Sequence, residues 1–257
     1  TISTIYRGVQ GNSSAQFAIG DAFTTAQNND DYLNSKILSV KDYGAVGNGI
    51  VDDTASILAA VLAAAGGKVY FPKGTYLISA EIPLNVIGLQ FVGESRFTTI
   101  IKQNTLNAKI LNISQMFCGV SGLSFIYNGT PTSGATAINV TGSYATLEDF
   151  VIRSCHIGVE FNGCVAGKLS NYEILDYESI GLHLQNVNDV FSHSFIFNAG
   201  NTTRGALGGI RLVDKVEAFV ATDGDVLMGQ YSLTIDASVI GLGTRPAFNI
   251  FTNVFFV

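Results

Sequence analysis

From about residue 86 onward the chain repeats one pattern of positions: apolar, two others, apolar, one other, apolar. It stands at 86–91, 120–125, 147–152 and 169–174, and less regularly at 216–221. A second short strand, apolar-polar-apolar, returns between these at 111–113, 138–140, 159–161, 182–184, 210–212 and 233–235. Its successive copies begin roughly 21 to 28 residues apart. A turn-rich repeat of that length, made of short strands without a helix, predicts a parallel β-solenoid whose apolar positions stack into internal columns. An antiparallel sandwich also uses short strands at close spacing. The repeated pair of strand patterns at a common offset favours the solenoid.

Ahead of the repeats, residues 52–65 read as a helix. Asp52 or Asp53 can accept amide hydrogens of the first turn, and Gly66-Gly67 offers a left-handed stop. Its stripe Ile57, Val61, Leu62 and Ala65 is apolar and calls for cover. A strand at 68–71, a Pro72-Lys73-Gly74 turn and a strand at 75–78 follow. Residues 1–38 are polar and weakly periodic, with one helical turn expected around 21–33; they read as a neck, linker or partner-binding arm before a domain at 39–257.

Composition narrows the function classes. Charged residues are only 13%, apolar ones 47%, and there are 28 Gly and no Trp, which suits a strand-rich solid and argues against disorder or a helical bundle. The 14 Lys and Arg are scattered against 20 acids, net −6, so no basic stripe invites nucleic acid. Cys118, Cys155 and Cys164 lack metal or disulfide spacing and read as buried free thiols. The longest apolar run, 57–65, is too short for membrane insertion, and no signal peptide is visible after Thr1. The last residues, 253–257, stop in a strand-like run, which reads as a piece of a longer protein.

Residues 40–78 resemble the opening segment of right-handed β-helix proteins of the pectate-lyase superfamily. The carriers are Val-Lys-Asp-Tyr-Gly-Ala-Val-Gly-Asn-Gly at 40–49, Asp52-Asp53-Thr54, the Ala-rich helix, and Gly-Gly-Lys-Val-Tyr-Phe-Pro-Lys-Gly-Thr-Tyr at 66–76. Asn48 stands where relatives often carry Asp. Within the superfamily the segment looks most like that of bacteriophage tailspikes. That resemblance implies a capped all-β right-handed parallel β-helix, a homotrimer, a virion-tail and extracellular location, and contacts with other phage tail proteins through the N-terminal segment. It also implies that the solenoid binds or cleaves a bacterial surface polysaccharide. The polygalacturonase and calcium-dependent pectate-lyase residue patterns are absent, so their catalytic residues are not carried over.

Chemistry is sought on the outward positions. The middle residues of the second strand read Asn112, Asn139, Glu160, His183, Arg211 and Thr234, one per coil, expected as an exposed ladder about 4.8 Å apart. Glu160, His183 and Arg211 are the first candidates for catalysis, and Asn112, Asn139 and Thr234 for substrate binding; a charge ladder that merely stabilises the sheet is the alternative. Asp223 and Asp225, about 7 Å apart on an extended segment, are alternative hydrolytic acids or simply a turn. Asp149, Asn171 and His193 read as another outward column, and Glu173, Asp176 and Glu178 as an acidic edge, more decoration than machinery. Tyr127, Tyr172 and Tyr177 are expected to be exposed for stacking on sugars, although Tyr172 also falls on a core position. The expected activity is endo-acting glycoside hydrolysis of capsule or O-antigen, with no metal or cofactor required. A polysaccharide lyase using His183 beside Arg211, and a non-catalytic receptor-binding spike, stay open.

Overall fold

The computed structural model describes residues 37–200, 207–227, 233–235 and 250–256. The neck expected at 1–38, apart from Ile37 and Leu38, lies outside the described residues, as does the helical turn expected around 21–33. Among the described residues all strand pairings are parallel, and the chain winds as a right-handed solenoid in which each coil hydrogen-bonds to the next. The smaller sheet stacks β5 (Ile82–Leu84), β8 (Leu111–Ile113), β10 (Thr136–Val140), β12 (Ile157–Asn162), β14 (Ile180–Asn188), β16 (Gly208–Glu217) and β18 (Leu233–Ile235) in sequence order. The larger sheet runs β1 (Ile37–Ser39), β3 (Lys68–Phe71), β6 (Gln90–Gly93), β9 (Gly119–Tyr127), β11 (Thr146–Arg153), β13 (Lys168–Leu175), β15 (Phe191–Asn198), β17 (Val220–Leu227) and β19 (Ile250–Phe256). A branch of β2 (Asn48–Asp52), β4 (Gly74–Ile78) and β7 (Thr99–Gln103) joins it at β9.

That branch has a simple cause. In the first coils two strands are separated by a turn; from β9 onward they fuse into one long strand bent at a single left-handed residue. The bends fall in one column: Gly122 (φ 67°), Asp149 (51°), Asn171 (52°), Ser194 (52°), Asp223 (54°) and Asn253 (53°). Short polar side chains tolerate this conformation better than branched ones because they bond locally. Asn171 Nδ2 donates to Asp149 Oδ1 at 2.9 Å, and Asn253 Nδ2 to Asp223 Oδ1 at 3.0 Å. Beyond each bend the strand turns a fresh face outward.

Inside the coil the expected columns form, with two corrections. One internal file is Val120, Leu147, Leu169, Ser192, Ala221 and Phe251; the next is Leu123, Phe150, Tyr172, Phe195, Gly224 and Val254. The repeat therefore continues at 192–197 and 221–226, not at 216–221. Its signature fades because Ser192 is polar but buried against the Tyr172 hydroxyl at 2.7 Å. Gly224 leaves its inward place to the Phe195 ring, which lies 2.4 Å from where a Cβ would stand. Likewise 86–91 is not a copy of 120–125, since Phe91 pairs with Val120.

The helix α1 (Thr54–Ala64) packs Ile57, Ala60, Val61 and Ala64 inward, while Leu62, expected under cover, is 82% exposed. Its left-handed end begins on Ala65 (φ 48°) and continues through Gly66 (φ 94°), one of the two glycines expected to make the stop. Asp52 accepts from the Thr54 amide at 2.9 Å. Asp53, 1% exposed, instead holds the preceding loop by accepting from the Val46 and Gly47 amides. Asp53→Ala is expected to cost about 1–3 kcal/mol of stability by stripping those amides of their acceptor, read as a lower urea midpoint at unchanged slope.

Tyr127, Tyr172 and Tyr177 are all buried, contrary to their expected exposure. Each fills the coil: the Tyr127 hydroxyl donates to the Ala108 carbonyl at 2.7 Å, and Tyr172 stacks on Phe150 with ring centroids 4.9 Å apart. The three cysteines are buried and free. Burial pushes the Cys164 thiol up to about 11 and that of Cys155 higher still, so neither is a nucleophile at neutral pH.

Candidate functional site

The smaller sheet brings the file Asn112, Asn139, Glu160, His183, Arg211 and Thr234 into register, one rung after another. The file is only partly open where the sequence suggests exposure: Asn139 is 6% and His183 8% exposed, and the other four are half-buried. Side chains stacked one strand spacing apart shield each other from above and below. Asn139 Nδ2 donates to Asn112 Oδ1 at 2.8 Å, and His183 Nδ1 lies 3.1 Å from Glu160 Oε1. His183 Nε2 and Arg211 Nε are buried with no hydrogen-bond partner. The bond from His183 holds the Glu160 carboxyl below its ordinary value of 4.5, against burial that acts the other way; Lys109 assists.

Because that carboxyl is depressed in the fold, the stability it adds is present above its ordinary value and drains away as pH falls through the lower folded one. The stability difference between the native chain and Glu160→Gln is therefore expected to begin shrinking as pH falls past about 4.5 and to vanish only below the lower folded value, measured by urea unfolding across pH.

A different face is open. On the outside of the larger sheet, just past the left-handed column, a cleft of about 210 Å³ is lined by Arg96, Asn171, Glu173, Ile196, Asp223 and Asp225. Glu173, Ile196 and Asp225 occupy one outward file on successive rungs. The two carboxylates thus stand two rungs apart, about 9–10 Å at the backbone. Asp223 and Asp225 share β17, but the left-handed turn at Asp223 sets it in the neighbouring column, facing His193 Nδ1 at 3.3 Å. His193 itself aligns with Ser170 and Thr222, and Ser194 takes the place expected for it beside Asn171. A bend of one residue shifts the register that far.

Arg96 organises the cleft. It comes from the turn between β6 and β7, yet its guanidinium donates to the Asn171 carbonyl at 2.9 Å and lies 3.5 Å from both Asp149 and Glu173 carboxylates. With 13% of its side chain exposed, it holds the acidic wall together. Nothing local in the sequence marks Arg96, since its partners lie 75 and 77 residues away. Glu173 was legible only as part of an acidic edge. Among the described residues no group of three His, Cys, Asp or Glu side chains is placed to hold a metal ion.

Residues 37–121 match the family described as rhamnogalacturonase A/epimerase, pectate lyase-like. The mannuronan C5-epimerase AlgE1 of Azotobacter vinelandii is 30% identical over 169 residues, covering 58% of this chain and 11% of the epimerase. Among solved structures, the pre-mature gene product 12 of bacteriophage phi29 superposes with a TM-score of 0.64 at 14% identity, over 91% of this chain and 36% of that one. The catalytic unit of a GH87 α-1,3-glucanase from Streptomyces thermodiastaticus gives 0.58 at 18% identity, over 86% of this chain and 47% of that one. The chain spans about a tenth of that epimerase and less than half of either structure. The chain is thus a right-handed parallel β-helix whose first coils, residues 37–121, are similar in sequence to that pectate-lyase-like family and whose fold is shared with these structures along most of its length.

Proposed function

We propose that the chain binds a bacterial surface polysaccharide along the solenoid and cleaves it by glycoside hydrolysis in the Arg96 cleft. The observation that carries this reading is a pair of outward carboxylates, Glu173 and Asp225, held two rungs apart in an open groove. That spacing suits an inverting hydrolase, in which one carboxyl protonates the leaving oxygen and the other activates a water across the sugar. Glu173, ion-paired to Arg96, serves as the base; Asp225, with no ion-pair partner among the described residues, serves as the acid. The likeness to an epimerase of mannuronan and to an α-1,3-glucanase supports a polysaccharide as substrate. Capsule or O-antigen as that substrate, a trimeric phage tailspike as the assembly, and residues 1–38 as its neck toward other tail proteins all follow from the tailspike resemblance.

Lyase chemistry at Glu160, His183 and Arg211 fares less well, because His183 Nε2, the nitrogen left to act as a base, is buried. The test is to incubate the full chain with purified capsule and O-antigen and follow new reducing ends. Release without unsaturated-uronate absorbance is expected. No release at high protein concentration overturns hydrolysis, and absorbance growing with release assigns a lyase instead.

A further inference from the structure

A second hollow, of about 140 Å³, lies on the same outer face and shares Arg96 with the acidic cleft. Its chemistry is opposite. Ile100, Ile126 and Val151 line it, together with Phe97 and Arg153. Phe97 is 71% exposed, and the Arg96 guanidinium covers one face of its ring at 4.9 Å from the centroid. The other face is left for a sugar's C–H surface. Arg153 is exposed and makes no ion pair among the described residues; nor does Lys102, which stands in the same outward file with Ile126 between them. The flanking members of that file, Leu77 and Leu175, carry no charge. The groove is therefore polar along the solenoid axis: apolar and cationic over β7, β9 and β11, acidic over β13, β15 and β17.

We infer that this hollow is the subsite for an anionic sugar, whose carboxylate or phosphate is held by Arg153 and Lys102 while Phe97 stacks on its ring. The inference rests on the neighbouring cleft being the cleavage site. An anionic unit is repelled from Glu173, Asp223 and Asp225 and accepted one hollow away, so the charge pattern fixes how the glycan is threaded. Arg153 lies two rungs, roughly 9.6 Å, from the Ile196 rung midway between the carboxylates, near enough for one repeating unit to span both.

The test uses the full chain on an array of purified bacterial polysaccharides, neutral and anionic, each anionic one also in carboxyl-reduced or dephosphorylated form. Anionic glycans are expected to be retained, with affinity falling about tenfold when their charge is removed, the size of one charged hydrogen bond. Whichever treatment abolishes retention identifies the charged group. Arg153→Ala is expected to lose about the same factor on the anionic glycan and nothing on its neutralised form, with Arg153→Lys restoring part of it. Retention of neutral glycans alone, or of none, overturns the subsite, as does an Arg153→Ala chain that binds as the native one. The two readings fail separately. Anionic binding without cleavage of any glycan keeps the subsite and sinks hydrolysis; cleavage indifferent to neutralisation does the reverse.

Discussion

Glu173→Gln and Asp225→Asn are each expected to slow release of reducing ends by about 10²–10⁴-fold while leaving glycan binding in place. Each substitution keeps the shape of the side chain and removes only its capacity to carry or deliver a proton. Both residues are part-exposed on the outer face, so the coil beneath them is not disturbed. The two changes should also move the pH profile of release on opposite limbs, because the base is needed without its proton and the acid with it. Asp223→Asn is expected to matter less, since its carboxylate is occupied by Asn253 and His193. Native-like release from both Glu173→Gln and Asp225→Asn would move the chemistry away from this cleft.

Tyr172→Ala is expected to destabilise the fold by about 3–5 kcal/mol, as removal of a large buried ring does elsewhere. The ring is about 1% exposed, stacked between Phe150 at 4.9 Å and Phe195 at 5.8 Å. The Ser192 hydroxyl would lose its partner inside the coil, the Tyr172 hydroxyl at 2.7 Å. Tyr172→Phe separates the two effects: it keeps the stack, and its expected cost is about 1–3 kcal/mol for the orphaned hydroxyl. Urea unfolding reads both, and a loss below about 1 kcal/mol for Tyr172→Ala would mean that the internal files do not carry the solenoid.

The second-strand rungs from 111–113 onward were legible because their alternation is regular and their apolar residues point inward, whereas the first rung, Ile82–Leu84, was missed because Pro83 stands at its outward place. Asn112, Asn139, Glu160, His183, Arg211 and Thr234 could be aligned from spacing alone. Their burial could not, because it depends on how closely neighbouring rungs cover one another. The fused strands were harder. A left-handed residue inserts a kink that breaks period two, so His193 and Ser194 exchanged places in the reading. Ser192 and Gly224 hid two coils, since a small or polar residue faces inward only where a neighbour supplies the missing volume or hydrogen bond. The cleft was half legible. Asp223 and Asp225 are adjacent enough to notice, whereas Arg96 becomes part of it only once four coils, from β6 to β13, are stacked.

The reach of Arg96 bears on how such a molecule yields to force. A stack of coils joined only to their neighbours can be unzipped from one end, each rung giving way in turn. Here a side chain from the turn after β6 grips β11 and β13, skipping the strand between. Traction along the axis must first break that strap, and the coils it spans then resist as one block.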